Sequence, residues 1–347
     1  MNTGKLSLAI LLTGAVLTAA GLEFRQQGEV LIFRTARTEV KVKNARITAV
    51  KNLTNGVELA GEKTPAGSST AGIGNMTGQP EVMSKLHFPW GEPMLNQSPV
   101  IGKTITLYRY PNAKSNLKVE RTGKTVKAVW TGLTDSRRFY PKDFIELRFF
   151  EDENGALSFH GTGFTEMKGV FGLQIPIENL DGTGKFFLPN FGGLEYPASG
   201  KPALFTYNPT SLFYEAKLMT FEVKNTALGY WSEDPDFRPY FIMVGRGAAA
   251  SSFGLEINNI MPFEPHNTVK TPVVKIDTFA DSGWIAAARP YRNWYWKQFA
   301  AQIARRDSIP WANGINAVSD TGIPSDAVLK RIGELMPANR VLLQVWQ

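Results

Sequence analysis

Three histidines, His87, His160 and His266, are the side chains of this sequence best suited to moving protons near neutral pH, and they lie far apart. None stands in an HExxH or comparable ligand spacing, so the sequence predicts no bound metal ion. Cysteine is absent, and there is no Gly-x-Ser-x-Gly elbow and no glycine-rich phosphate loop after a strand. Those absences set aside thiol, acyl-transfer and nucleotide chemistry, and no cofactor is expected. Asp and Glu number 31, yet no spacing marks two of them as an acid and base pair. The chemistry must therefore come from what the elements assemble rather than from a local motif.

Those elements change character along the chain. From Gly21 to Asp277 the pattern is β throughout. Thr38–Lys43 alternates strictly, Arg46–Lys51 continues it, and Asn55-Gly56 is a hairpin turn. Thr104–Tyr110, Asn116–Glu120, Thr125–Trp130 and Asp143–Phe149 alternate in the same way, and Asp152–Gly155 turns into Ala156–Phe159. So many short strands broken by Gly, Pro and Asn predict a large antiparallel two-sheet sandwich. Trp130, inside an alternating strand, reads as core. Two stretches depart from the pattern and read as loops at the ends of the sandwich: Glu62–Val100, with Leu86–Gly91 inside it, and Thr183–Ser199, with Phe187–Leu194 inside it.

After Asp277 the period becomes helical. Trp284, Ala287 or Ala288, Tyr291, Trp294 or Tyr295, and Phe299 recur at three- and four-residue spacings to make one apolar, largely aromatic face, with Asp281 able to cap the start. Such a face fits packing against a neighbouring domain better than holding a cofactor. Pro290 removes a backbone donor, so a kink or a fresh helix start is expected there. Ser325–Met336 reads as a capped amphipathic helix, and Arg340–Trp346 as an apolar strand of the kind buried in parallel sheets. With no parallel partner legible, that strand predicts the first strand of an α/β barrel cut short at Gln347. The expected partition is 1–20 signal peptide, 21–277 sandwich, 278–310 linker helix, and 311–347 the start of the barrel.

The first twenty residues carry Lys5, an apolar stretch from Leu6 to Leu17, and small residues Thr18-Ala19-Ala20, the three parts of an export signal. The apolar stretch is shorter than the ~20 residues a membrane span needs. An exported bacterial protein, periplasmic, cell-surface or extracellular, with no membrane span is therefore expected. Lacking disulfides, it must be stable through its core. The net charge of +7 is scattered apart from short pairs such as Arg137-Arg138 and Arg305-Arg306, which argues against a nucleic-acid partner.

Together, Arg46–Leu59, Phe187–Gly193, Gly229–Asp236 and Gly283–Trp294 resemble, in residues and in order, the N-terminal part of exported bacterial glycoside hydrolases. In that group a β-supersandwich similar to galactose mutarotase precedes a (β/α)₈ barrel. The resemblance spans nearly the whole chain after the export signal, and it departs at Asp234-Pro-Asp-Phe237, where the group commonly has Asp-Pro-Asp-Gly, and at Pro290. It implies a mainly β fold, a poly- or oligosaccharide substrate, and a pair of carboxylates flanking a glycosidic bond. Those carboxylates are expected on barrel strands beyond Gln347, because barrel chemistry sits at the C-terminal ends of the strands. No catalytic residue is assigned within the chain. Sugar rings stack on aromatics and hydrogen-bond to planar polar groups, which makes Trp90, Asn190 and Trp231 the expected substrate-binding residues. Glu195, Asp234 and Asp236 are further polar candidates.

Two other functions fit the same residues. An aldose-epimerase-like enzyme would share the fold and needs a His and Glu at the sugar ring, with His160 the best candidate and His87 and His266 behind it. A non-catalytic carbohydrate-binding or surface protein would need no catalytic pair at all.

Overall fold

The computed structural model describes residues 21–61, 72–77, 105–135, 137–168, 170–189, 194–198, 203–207, 216–236, 238, 241–246, 253–256, 266–301, 316–320, 325–335, 337 and 341–345. The signal segment at 1–20 lies outside them, as do Trp90, Asn190 and His87. The fold is mainly β, antiparallel and sandwich-like, with a helix after the strands. Two compact units divide the chain, Met1–Tyr291 and Arg292–Gln347.

In the first unit, pairing sorts the strands into sheets of five, ten and six. The alternating runs fold as read. Thr38–Lys43 buries every second residue, and Thr125–Thr134 sends Val126, Ala128 and Trp130 inward. The five- and six-stranded sheets are joined by one short segment. Its strand Val170–Ile175 belongs to the six-stranded sheet, while Ile177 and Leu180 just beyond bridge to Ile47 and Ala60 of the five-stranded one. Opposite lies the ten-stranded sheet. Phe33 of the five-stranded sheet stacks on Phe149 of the ten-stranded one, with centroids 4.1 Å apart, and Phe149 leans on Phe159 at 5.5 Å. A chain of side-chain hydrogen bonds latches the first strands to the last strand of the ten-stranded sheet. Arg37 holds Asp277 at 2.5 Å, Thr38 meets Thr278 at 2.8 Å, and Asn52 donates to Thr278 at 3.0 Å. Burial pushes the Asp277 carboxyl up, against the pull of Arg37.

Both stretches read as loops contain strands. Within Glu62–Val100, Gly72–Thr77 pairs on both sides, with Val170–Ile175 and Ile105–Arg109. Its glycines and asparagine have poor strand propensity, so neighbours on either side recruit it where local sequence would not. Within Thr183–Ser199, Lys185–Leu188 and Leu194–Pro197 form a hairpin closed at Leu188 and Leu194.

Helix α1, Trp284–Gln298, runs through Pro290 without a fresh start. The proline forfeits one hydrogen bond at the Ala286 carbonyl. Buried Ala287 and Tyr291, four residues apart, hold this stretch against the sheet. The approach is close, since a Cβ on Gly229 would lie 2.9 Å from the Ala287 carbonyl oxygen. The start of α1 is capped by Glu222, which accepts the Trp284 backbone N–H at 3.1 Å. Asp281, read as the cap, instead takes a left-handed turn at φ 49°.

In the second unit Phe299 packs edge-on to Trp294 and tilted against Tyr295. Helix α2, Asp326–Leu335, starts as read, with the Ser325 hydroxyl accepting from the Val328 N–H at 3.4 Å. The terminal strand, Val341–Val345, is not alone. It pairs in parallel with Asn316–Asp320, so two parallel strands are present rather than one. The partner is not legible in the sequence because Asn-Ala-Val-Ser-Asp is not an apolar run.

Candidate functional site

Tight turns converge on one open cleft. Asn52 Oδ1 accepts from the N–H groups of Thr54 and Asn55 at 2.9 and 3.0 Å, and Gly56 follows at φ 76°, closed to most side chains. Lys224 and Asn225 are consecutive left-handed residues at φ 48° and 56°, joining strands Leu218–Val223 and Thr226–Glu233 by a tight hairpin turn. The Asn55 amide donates to Thr226 at 2.9 Å, tying these two turns together. The third wall is 179–182. It is pinned by Gly61 N–H to the Asn179 carbonyl and by Asp181 N–H to the Leu59 carbonyl, at 3.0 and 2.9 Å.

The cleft they enclose measures about 500 Å³ and is lined by Asn55, Glu58, Gly61, Asn179, Asp181 and Lys224 among others. That volume falls within the range of small-ligand sites. Carboxylate, amide and ammonium groups on stiff turns suit a ligand rich in hydroxyls. No aromatic side chain lines the cleft among the described residues, so it offers directional hydrogen bonds without a stacking surface.

Two buried charge clusters lie elsewhere on the ten-stranded sheet. Asp234 is 1% exposed and bonds Lys217 Nζ at 2.6 Å and the Arg238 guanidinium at 2.9 Å. The Lys217 backbone N–H in turn donates to the Tyr291 hydroxyl at 3.2 Å. Burial alone would raise the Asp234 carboxyl, but its bonds to Arg238 and Lys217 outweigh this and hold it below the ordinary range. Its stabilising contribution is therefore present above the unfolded-state value and lost as pH falls through the folded one. We expect the stability gap between wild type and Asp234→Asn, read as urea midpoints, to be widest near neutral pH and to narrow below about pH 4. A gap that stays constant with pH would contradict this assignment.

The second cluster places Lys275 between Asp152 at 2.5 Å and Glu233 at 2.9 Å. Trp231, expected as an exposed ring, is 3% exposed and donates its indole N–H to Glu233 at 3.2 Å. It does not present a free face to solvent. Of the other polar candidates, Glu195 is exposed and paired with Lys185, while Asp236 is exposed and 3.9 Å from Arg238. His160 stacks on Phe150 with centroids 5.6 Å apart. Burial, with nearby Arg148, lowers its pKa and favours the neutral ring. Among the described residues no group of three or more His, Cys, Asp and Glu could hold a metal ion.

The structure therefore brings together residues that sequence reading does not single out. Asn55-Gly56 is legible as a turn, but Asn179, Asp181 and Lys224 are more than a hundred positions away and carry no shared local signal.

No protein-family model matches this sequence, and no curated protein matches it. Among solved structures, the chain is similar to an α-N-acetylgalactosaminidase from Bifidobacterium bifidum in complex with GalNAc. Identity is 11% and the TM-score 0.47, over 93% of this chain and 51% of that one. It is also similar to galactose 1-epimerase from Lactobacillus acidophilus, at 10% identity and TM-score 0.37 over 74% of this chain and 98% of that one. A third is the 4-α-glucanotransferase from Thermococcus litoralis, at 10% identity and TM-score 0.32 over 74% and 39%. The chain thus spans about half the length of the bifidobacterial enzyme. These likenesses are too distant to assign a family.

Proposed function

We propose that this chain is the sandwich-bearing part of an exported glycoside hydrolase, with residues 311–347 beginning its (β/α)₈ barrel and the sandwich shaping the substrate side. The observation that carries the reading is the parallel pairing of Asn316–Asp320 with Val341–Val345 across helix α2, directly after an antiparallel sandwich. Parallel pairs joined by a helix are the repeating unit of such barrels. The resemblance of Arg46–Leu59, Phe187–Gly193, Gly229–Asp236 and Gly283–Trp294 to that group supports the same reading. So does the polar cleft, whose side chains suit sugar hydroxyls. Export rests on the Lys5, Leu6–Leu17 and Thr18–Ala20 pattern. Asp320 closes its strand at the C-terminal end, the position from which barrel enzymes address substrate.

The test uses the polypeptide of the whole reading frame beside the 347-residue chain, each incubated with a panel of α- and β-linked nitrophenyl glycosides. Nitrophenol release by the first and none by the second is expected. If instead the 347-residue chain interconverts the anomers of an aldose and loses that activity on His160→Ala, the epimerase reading replaces this one. If neither polypeptide acts on any sugar, a non-catalytic binding protein is what remains.

A further inference from the structure

The outer face of the ten-stranded sheet carries an aromatic stack that the sandwich core does not use. In Lys185–Leu188 the strand alternation sends Phe186 and Leu188 inward, to 0% and 1% exposure, and turns Lys185 and Phe187 outward. Register sets Glu195 opposite Phe187 on one side and Glu222 opposite Lys185 on the other. Directly cross-strand residues share a face. Onto this patch α1 delivers Trp284, whose ring stacks on Phe187 with centroids 5.4 Å apart and planes 17° from parallel. The Glu222 bond to the Trp284 backbone N–H fixes that position. Trp284 nevertheless remains 39% exposed, although its helical spacing reads as a packing face.

We infer that Phe187 and Trp284 form a stacking platform for a pyranose ring of a glycan, with Glu195, Lys185 and Glu222 binding its hydroxyls. The inference rests on the carbohydrate reading above and names a surface for it. A sugar ring has an apolar C–H face and a rim of hydroxyls, and the patch mirrors both. The indole offers an open aromatic surface. Beside it, Lys185 Nζ and Glu195 Oε1 are held 2.7 Å apart, and Glu222 uses one carboxylate oxygen on the helix. Two of the three rim groups are carboxylates. That charge disfavours a nucleic acid, which would need a basic groove beside its stacking rings. The platform also adjoins the cleft. Glu222 lies two residues before Lys224 of the cleft wall, and Lys185 lies three residues from Gly182. A glycan stacked on Trp284 would thus reach the cleft's amides and carboxylates, which supply what the platform lacks.

The test is affinity electrophoresis of the 347-residue chain in native gels carrying soluble starch, arabinoxylan or gastric mucin. Retardation in at least one gel is expected, weakened about tenfold or more by Trp284→Ala and largely restored by Trp284→Tyr. Near-UV circular dichroism checks that Trp284→Ala still folds. Glu195→Gln, an exposed change that leaves the stack in place, should weaken retardation several-fold and carries the test if the first variant does not fold. Three results would overturn the platform: no retardation in any gel, retardation unchanged in both variants, or a Trp284→Ala effect confined to self-association, which would make a second copy the occupant. Cleavage of nitrophenyl glycosides by the whole reading frame is scored separately. Trp284-dependent retardation without any cleavage sinks the hydrolase and keeps the platform, whereas cleavage without Trp284-dependent retardation does the reverse.

Discussion

Asp143→Ala is expected to cost about 3–5 kcal/mol of folding stability, the range for removing one partner of a buried ion pair. Asp143 pairs with Arg109, and their side chains are 0% and 2% exposed. Its other oxygen accepts the Glu166 N–H at 2.9 Å, so one carboxylate serves both the buried guanidinium and a backbone amide. Without it the guanidinium keeps its charge, because arginine does not deprotonate at accessible pH. The remaining surroundings are a poor substitute. Tyr140 lies against the cation with its ring centroid 3.7 Å away, and Arg109 Nε already has no hydrogen-bond partner among the described residues. Arg109 belongs to the six-stranded sheet and Asp143 to the ten-stranded one, so loosening should spread to both. Urea unfolding of Asp143→Ala alone, and of Asp143→Ala combined with Arg109→Met, separates the terms. The double variant should recover part of the loss, since it buries no unpaired charge. A single variant within about 1 kcal/mol of wild type would mean the pair is hydrated.

Phe33→Ala should be comparably severe, at about 3–5 kcal/mol. Phe33 is fully buried and fills the space between two sheets. It stacks on Phe149 at 4.1 Å across the sandwich and meets Phe24 at 5.4 Å within its own sheet. Truncation leaves a cavity bounded by β-strands that their ladders hold in place, so little collapse can offset it. Thermal unfolding followed by circular dichroism reads the loss. Phe33→Leu, which keeps most of the volume, should recover much of it.

How much of this was legible depended on whether a strand's partners could be inferred from its own residues. Thr38–Lys43 and Thr125–Thr134 advertise themselves, because one buried face imposes a period of two. Gly72–Thr77 does not, since both of its neighbours come from distant sequence and its own residues disfavour a strand. The hairpin of Lys185–Leu188 and Leu194–Pro197 was hidden by its brevity and by the Pro, Asn and Gly between the strands. The site was less legible than the fold. Trp231 sits three residues before the turn opened by Asp234, which reads as exposure, yet the register sets it opposite buried Lys275, with Glu233 accepting its indole N–H. Trp284 erred the other way. Its helical spacing matches Tyr291, but it falls at the first residue of α1, beyond the edge of the packed stretch. The cleft had no sequence signature because its walls are three separate turns.

The latch between Thr38 and Thr278 has a consequence for the order of events during synthesis. Its partners are 240 residues apart, so the first strands to leave the ribosome must wait for nearly the whole sandwich before their buried hydroxyls and amide find partners. Contacts of such long range form late and slowly. The early hairpins can pair among themselves, but they cannot lock while Thr278 is still to be made. The same residues that hold the finished sandwich shut keep the unfinished one open.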